Sequence, residues 1–510
     1  MFPGIRRLVV STLATTLLFS GALTTFTVER AAAVAVTRFV APTGSDASNT
    51  CAAQGSPCAT LGHALTQAVA GDTVQLEPGT YLVSGNPTGT ANTVKIAQSG
   101  LTIQSDPVGG TAANTIVDGT DVPHGIVVNA NGVTIKNITV RNADQQGILV
   151  TPPSTAHVPA SVSNLTLSGN LVTKNDACMN HPTRPVCPSP DVNDDYGEAI
   201  QLLSVVHSTI TNNTVTNNVG GILVTDEMGP NHDNTITGNT VSNNKKDCGI
   251  TLAGHSGNAV AMSGANAGKP QPTLGGIYHN TVTGNTANGN GAAGILIAAG
   301  GPGAGAYSNT VTGNTANENG QPGITLHSHT PFQVLNNNVI TGNTVVHDAL
   351  SAGNDAGTAP GDSDAGVTKT TGIIVFTMVV PVNGTVITGN HISNVAFGIW
   401  MSAHTPSATV SGNTISVTAG GVPIAIERTS ASIVGITRSL SGRGYALTAS
   451  DGDVLPLGDA GYFGSLGKTP LAMPVVGAAT TPSGNGYWLT ASDGGVFSFG
   501  DAKFFGSTGA

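Results

Sequence analysis

Glu227, His255 and His329 are the side chains whose types and spacing suit acid–base chemistry. A carboxylate and an imidazole on neighbouring rungs of a sheet, ~5 Å apart, can serve as general acid and base. That pairing fits cleavage of a glycosidic bond or removal of the C5 proton of a uronate. His327, Phe376, Trp400 and His404 fall on the same face and are the expected substrate-binding residues, the two aromatic rings offering an apolar rest for a sugar. The run Asp191-Val192-Asn193-Asp194-Asp195 gathers the oxygen donors that Ca2+ takes, and Asp362 with Asp364 forms a second such turn. The first departs from the EF-hand pattern, which wants Gly where Tyr196 stands and Glu where Leu202 stands. Solvated turn positions are the competing reading of the same histidines and acids.

These residues take their places from a repeat. TLSGNLVTKN, TITNNTVTNN, TITGNTVSNN, TVTGNTANGN, TVTGNTANEN, VITGNTVVHD, VITGNHISNV and TVSGNTISVT carry marker asparagines at Asn170, Asn213, Asn239, Asn285, Asn314, Asn343, Asn390 and Asn413. Between them recurs a glycine followed by alternating apolar residues, as GILV at Gly147 and Gly221, GITL at Gly249 and Gly323, and GIWM at Gly398. The asparagines are spaced 43, 26, 46, 29, 29, 47 and 23 residues apart, so the shorter units are too small for a four-stranded propeller blade. A unit with short β-branched strands and no helix must bury its apolar face against its neighbours. The pattern therefore predicts an all-β chain: a right-handed parallel β-helix of about eleven coils over residues 36–430, with turn asparagines hydrogen-bonded in a ladder. In each GIxL strand the Ile and Leu face inward and the alternate residues outward. Three excess lengths of about 20 residues, near 176–196, 254–277 and 349–371, flank this sheet. They are expected to wall a functional groove over it, or else merely to cover outward Leu223, Leu296, Ile374 and Phe376.

With 39% hydrophobic and only 9% charged residues, the chain does not have the composition of a disordered protein. Its net charge of −10 argues against nucleic acid as a partner. Residues 1–35 have the order of a signal peptide: Arg6 and Arg7, an apolar run from Leu8 to Leu23, then small residues around Ala31 to Ala35. The expected location is therefore secreted or at the cell surface, with no later membrane span. Cys51 and Cys58 can bridge locally, as can Cys178 and Cys187, while Cys248 is left over or pairs with one of the latter two. Residues 61–69 have a short amphipathic look suited to capping the first coil. From 434 to 510 a different repeat takes over: GYALTASDGDVLPLGDAGYFGSLG returns 42 residues later as GYWLTASDGGVFSFGDAKFFGSTG, with 16 identities in 24 positions. It predicts a small two-repeat antiparallel β module resembling propeller blades.

The opening FVAPTGSDASNTCAAQGSPCATLGHALTQAVAGDTVQLEPGTYLV resembles the entry of secreted right-handed β-helix proteins with the pectin-lyase fold. The NTITGNTVSNN and GITL grammar is similar to the parallel-β-helix (PbH1) repeat of the NosD-like periplasmic family and of many extracellular polysaccharide-active enzymes. The C-terminal repeats resemble the tandem GYWL-ASDGGVF-FGDA modules of secreted actinobacterial proteins. These resemblances imply an exported protein that binds, and cleaves or epimerises, an extracellular polysaccharide or cell-wall glycan, as a lyase, hydrolase or epimerase. The competing class is a non-catalytic surface or adhesion protein whose C-terminal repeats make the contact. In pectate-lyase relatives Ca2+ bridges an acidic substrate and a cationic base takes the proton; Arg141, Lys174, Lys245, Lys246 and Lys369 are scattered and offer no such base. Copper handling through the histidines has less to rest on, since His327 and His329 form the sole His-x-His and there is no methionine cluster.

Overall fold

Three-residue segments such as Thr209-Ile210-Thr211 have one β-branched apolar residue between two threonines, so only the middle side chain turns inward. Strands this short become stable only when copies stack, and in the computed structural model they do. It describes residues 34–83, 94–153, 160–175, 198–254, 275–299, 304–328, 333–350, 370–377, 381–402, 405, 408–426, 432–457, 459–466 and 471–509. The long sheet has twelve strands, from Thr37–Val40 to Thr409–Ser411, all parallel to their neighbours. Its inward column, Ile135, Leu167, Ile210, Ile236, Val282, Val311, Ile340 and Ile387, is fully buried. The fold is a parallel β-helix, as the repeat implies.

A complete coil has four strands. In one coil these are Val205–Val206, Thr209–Thr211, Thr214–Thr216 and Gly220–Thr225. The first kind forms a five-stranded short sheet, and the last forms the GIxL sheet. Three of the corners are held by buried polar columns. In the column of marker asparagines, each backbone N–H and side-chain amide donates to Oδ1 of the asparagine one coil on, as from Asn239 to Asn285 at 2.9 Å each. The same amide donates to a carbonyl of the preceding coil, Ile210 O for Asn239. A buried amide left unmatched costs ~1–3 kcal/mol, so this full satisfaction explains why asparagine recurs. The residue before each marker is left-handed, φ 64° at Gly238 and 53° at Asn212, which explains the Gly-Asn and Asn-Asn pairs. A second column runs Asn175, Asn218, Asn244, Asn290, Asn319, Asp348. A third runs Ser208, Asn234, Asn280, Asn309, Asn338.

The first coil is closed by the helix Leu61–Gln67, started by Thr60, whose Oγ1 accepts from the His63 N–H. Leu61, Ala64 and Leu65 bury its apolar side. Cys51 and Cys58 form a disulfide, while Cys178 and Cys187 lie outside the described residues. Cys248 is buried and has no disulfide among the described residues, and burial pushes its thiol well above the usual range. The C-terminal repeats form two three-stranded antiparallel sheets, Ile433–Arg438 with Tyr445–Ala449 and Val454–Leu457, and Val475–Thr480 with Gly486–Ala491 and Val496–Gly500. Val475, Tyr487 and Leu489 are buried in their own apolar cluster with Phe463 and Phe499. No helix among the described residues is long and apolar enough to cross a membrane.

Candidate functional site

The GIxL strands stack in register, Ile222 on Ile250 on Ile295 on Ile324 on Ile373 on Ile399, all inward and buried. Their outward residues form the floor expected beneath a groove. Much of that floor is closed: Leu223 is 1% exposed, Ile374 0% and Phe376 4%. Leu223, Ala253 and Ala298 make a small apolar cluster of their own, with Leu296 packed against it. Solvent reaches it at separate points, among them partly exposed His327 and Trp400.

The structure brings three of the four expected substrate-binding residues together. His327 and Phe376 are register partners on adjacent strands, and the Phe376 and Trp400 rings lie 6.2 Å apart, tilted by 40°. Glu227 sits two residues beyond the strand Gly220–Thr225, in a turn held by the Met228 N–H on Ser204 Oγ and the Gly276 N–H on Asp226 Oδ2. Its strand lies three strands from that of His327, about 14 Å along the stack at the usual strand spacing. His255, His329 and His404 lie outside the described residues, as do Asp191, Asn193, Asp194 and Asp195.

A second cluster was not singled out by sequence reasoning. Each coil enters the long sheet through a left-handed residue, successively Asn164, His207, Asp233, His279, Ser308 and Asn337. Thus three consecutive coils place His, Asp and His in one column. Beside it the short sheet aligns Val206, His232, Tyr278 and Tyr307. His232 Nδ1–H donates to Asp233 Oδ2 at 2.7 Å; His207 Nδ1 is 3.8 Å from that oxygen, and His279 Nδ1 is 3.8 Å from Asp233 Oδ1. Tyr278 stacks on His232 at 4.7 Å and on Tyr307 at 5.3 Å, and meets His279 edge-on. Burial and the Asp233 charge push the Tyr278 phenol above its usual range, so it remains a neutral hydroxyl. Aligning VHST, HDNT, YHNT and YSNT on the threonine that opens each long-sheet strand reveals this column.

The coil grammar matches the family described as "Periplasmic copper-binding protein (NosD)" over residues 65–263, 191–356 and 273–435, together well over half of the chain. The chain belongs to the NosD family. Among solved structures with a similar chain path is the A-module of the mannuronan C-5 epimerase AlgE6 from Azotobacter vinelandii. It shows 17% identity and a TM-score of 0.39, over 70% of this chain and 88% of that one. The pectate lyase Pel9A shows 15% identity and a TM-score of 0.41, over 75% and 78%. The DFA-IIIase from Arthrobacter chlorophenolicus A6 shows 14% and 0.43, over 71% and 77%. No curated protein sequence matches this chain. For this NosD-family chain these are likenesses of coil architecture alone.

Proposed function

We propose that this protein is exported and binds an extracellular polysaccharide on the GIxL sheet, at a subsite centred on His327, Phe376 and Trp400. The carrying observation is the convergence of an imidazole and two aromatic rings on adjacent strands of a rigid stack, with His327 and Trp400 still open to solvent. An aromatic face suits the apolar side of a sugar ring, and few precisely held polar groups suffice to orient it. Turnover in this reading falls to Glu227 with His255 and His329, and Ca2+ to the turn at Asp191, Asn193, Asp194 and Asp195. The test offers the full protein pectate, alginate, chondroitin, xylan and β-glucan, with and without Ca2+. It reads retention, unsaturated-product absorbance and reducing ends. Binding that Trp400→Ala weakens about tenfold supports the reading; no retention on any glycan, or retention indifferent to Trp400→Ala, overturns it. Absorbance together with reducing ends identifies a lyase, and reducing ends alone a hydrolase.

An adhesion role for the C-terminal repeats has its own observation. They enclose a cleft of about 430 Å3 lined by Arg438, Asp459, Phe463, Asn485 and Tyr487. Asp459 accepts from Ser439 and Ser441, and Asp501 from Thr481 and Ser483, the same arrangement twice. Retention lost in Arg438→Ala and kept in Trp400→Ala favours this second reading. The copper in the family's description calls for a donor set. Among the described residues, two groupings bring three metal-binding side chains within 4.8 Å. The one that contains sulfur, Cys51 and Cys58 with His63, has its sulfurs in a disulfide, so soft Cu(I) has no thiolate there.

A further inference from the structure

We propose that His207, His232, Asp233 and His279 form a binding site for a divalent transition-metal ion, with the preference order Cu(II) over Zn(II) over Ca2+. The side-chain donor atoms of His207, His232 and Asp233 already lie within 4.8 Å of one another, and His279 reaches the second oxygen of the same carboxylate from the next coil. Metal–nitrogen and metal–oxygen bonds of ~2.0–2.2 Å place neighbouring ligand atoms roughly 3 Å apart. The separations of 2.7 and 3.8 Å around Asp233 straddle that value. Closing onto an ion needs only side-chain rotation, because His207 and His279 are more than half exposed.

The donor chemistry selects the ion. Three imidazoles with one carboxylate suit Cu(II), Zn(II) and Ni(II), with Cu(II) first in the general affinity order. Hard Ca2+ takes six to eight oxygens, and this cluster offers one carboxylate. The rings are also held ready. Tyr278 is sandwiched between His232 and Tyr307 and abuts His279 edge-on, so two of the imidazoles rest against one phenol ring.

A plain turn column does not require these residue types. Asn164 and Asn337 fill the same left-handed position in other coils, and asparagine meets the backbone demand there without a ligating nitrogen. Here two histidines flank an aspartate on successive coils, and a further histidine lies beside the aspartate. An ion bound by them clips three coils together from outside.

That substitution pattern also supplies variants that keep the turn. Untagged protein is titrated with Cu(II), Zn(II) and Ca2+, separately, by calorimetry, with electron paramagnetic resonance of the Cu(II) form and thermal melts. The proposal expects one saturable Cu(II) per chain, nitrogen hyperfine structure from imidazole, weaker Zn(II), no Ca2+ at these residues, and a raised melting temperature with the ion. His207→Asn/His279→Asn and Asp233→Asn each weaken Cu(II) at least ~10-fold. His347→Asn, at a left-handed histidine outside the cluster, leaves affinity unchanged. Absence of saturable binding, or Cu(II) affinity and hyperfine structure unaltered by His207→Asn/His279→Asn in a protein of wild-type melting temperature, overturns it.

Discussion

Asp348 ends a buried column in which the earlier rungs are asparagine, and its carboxyl accepts both the backbone and side-chain N–H of Asn319 on one oxygen, at 2.8 Å each. Burial pushes its carboxyl well above the usual range. A folded value above the unfolded 3.8 means that the folded state holds the proton more tightly; the stabilisation is complete below 3.8 and is lost as pH rises towards the folded value. Asp348→Asn keeps the acceptor, removes the ionisable group and adds an N–H that the column directs at the preceding coil. It is expected to be about 1 kcal/mol more stable than the parent at pH 7 and to flatten the pH dependence above pH 4, measured by denaturant unfolding. Lower stability of Asp348→Asn at pH 7 counts against this account. At this scale the marker asparagines were legible because one residue type recurs at one place in a phrase. The column of His207, Asp233 and His279 was not: its residue type changes from coil to coil, and unequal coil lengths hide the alignment until the strands are registered.

The glycine of each GIxL element has a steric cause that repetition announced and only the stacked strands explain. A Cβ on Gly221 stands 2.0 Å from the Gly249 carbonyl oxygen, and on Gly398 2.4 Å from the Pro423 oxygen. Gly221→Ala is expected to cost about 1–3 kcal/mol by forcing neighbouring coils apart. Gly284→Asn, at a left-handed turn with open space around its Cβ, is expected to be near neutral, as Asn212 shows in the equivalent position. Equal losses from the two changes in denaturant unfolding contradict the steric argument. The N-terminal cap depends on Asp72. Burial raises its carboxyl, but the Val36 and Val69 N–H groups and Arg38 outweigh that and hold it below the usual value. Its contribution is present above pH 3.8 and fades as pH falls through the lowered folded value. Amide exchange in Thr37–Val40 should therefore quicken in acid, and Asp72→Asn should show the same quickening at pH 7. The long and GIxL strands were legible from β-branched alternation. The two-residue strands of the short sheet were too brief to show a period.

Over the whole molecule the stack is quasi-one-dimensional: each coil meets only the next, so stability is a sum of coil terms and nearest-neighbour interfaces. The first end is closed by the helix Leu61–Gln67, whereas the last long strand, Thr414–Ile426, pairs along one edge among the described residues and leaves Val422, Ile424 and Ile426 40–51% exposed. A defect should then have effects that depend on its position. Asn285 sits mid-stack, receiving the Asn239 N–H groups and donating to Ile236 and Asn314. Asn413, in the last rung, receives Asn390 and donates to Ile387, and is only partly buried. Asn285→Ala takes the acceptor from the Asn239 N–H groups and the donor from the Ile236 carbonyl, all on the preceding coil, and leaves Asn314 Oδ1 only the backbone N–H of residue 285, at ~1–3 kcal/mol for each buried group left unmatched. It should split unfolding into two phases, with exchange quickened in the coils around Thr235–Thr237 and Thr310–Thr312 and unchanged at Thr102–Ser105. Asn413→Ala should fray the terminal coil alone and leave the main transition in place. A single unfolding step for Asn285→Ala, with exchange raised evenly from first coil to last, would show that the solenoid behaves as one cooperative core rather than as a chain of neighbours.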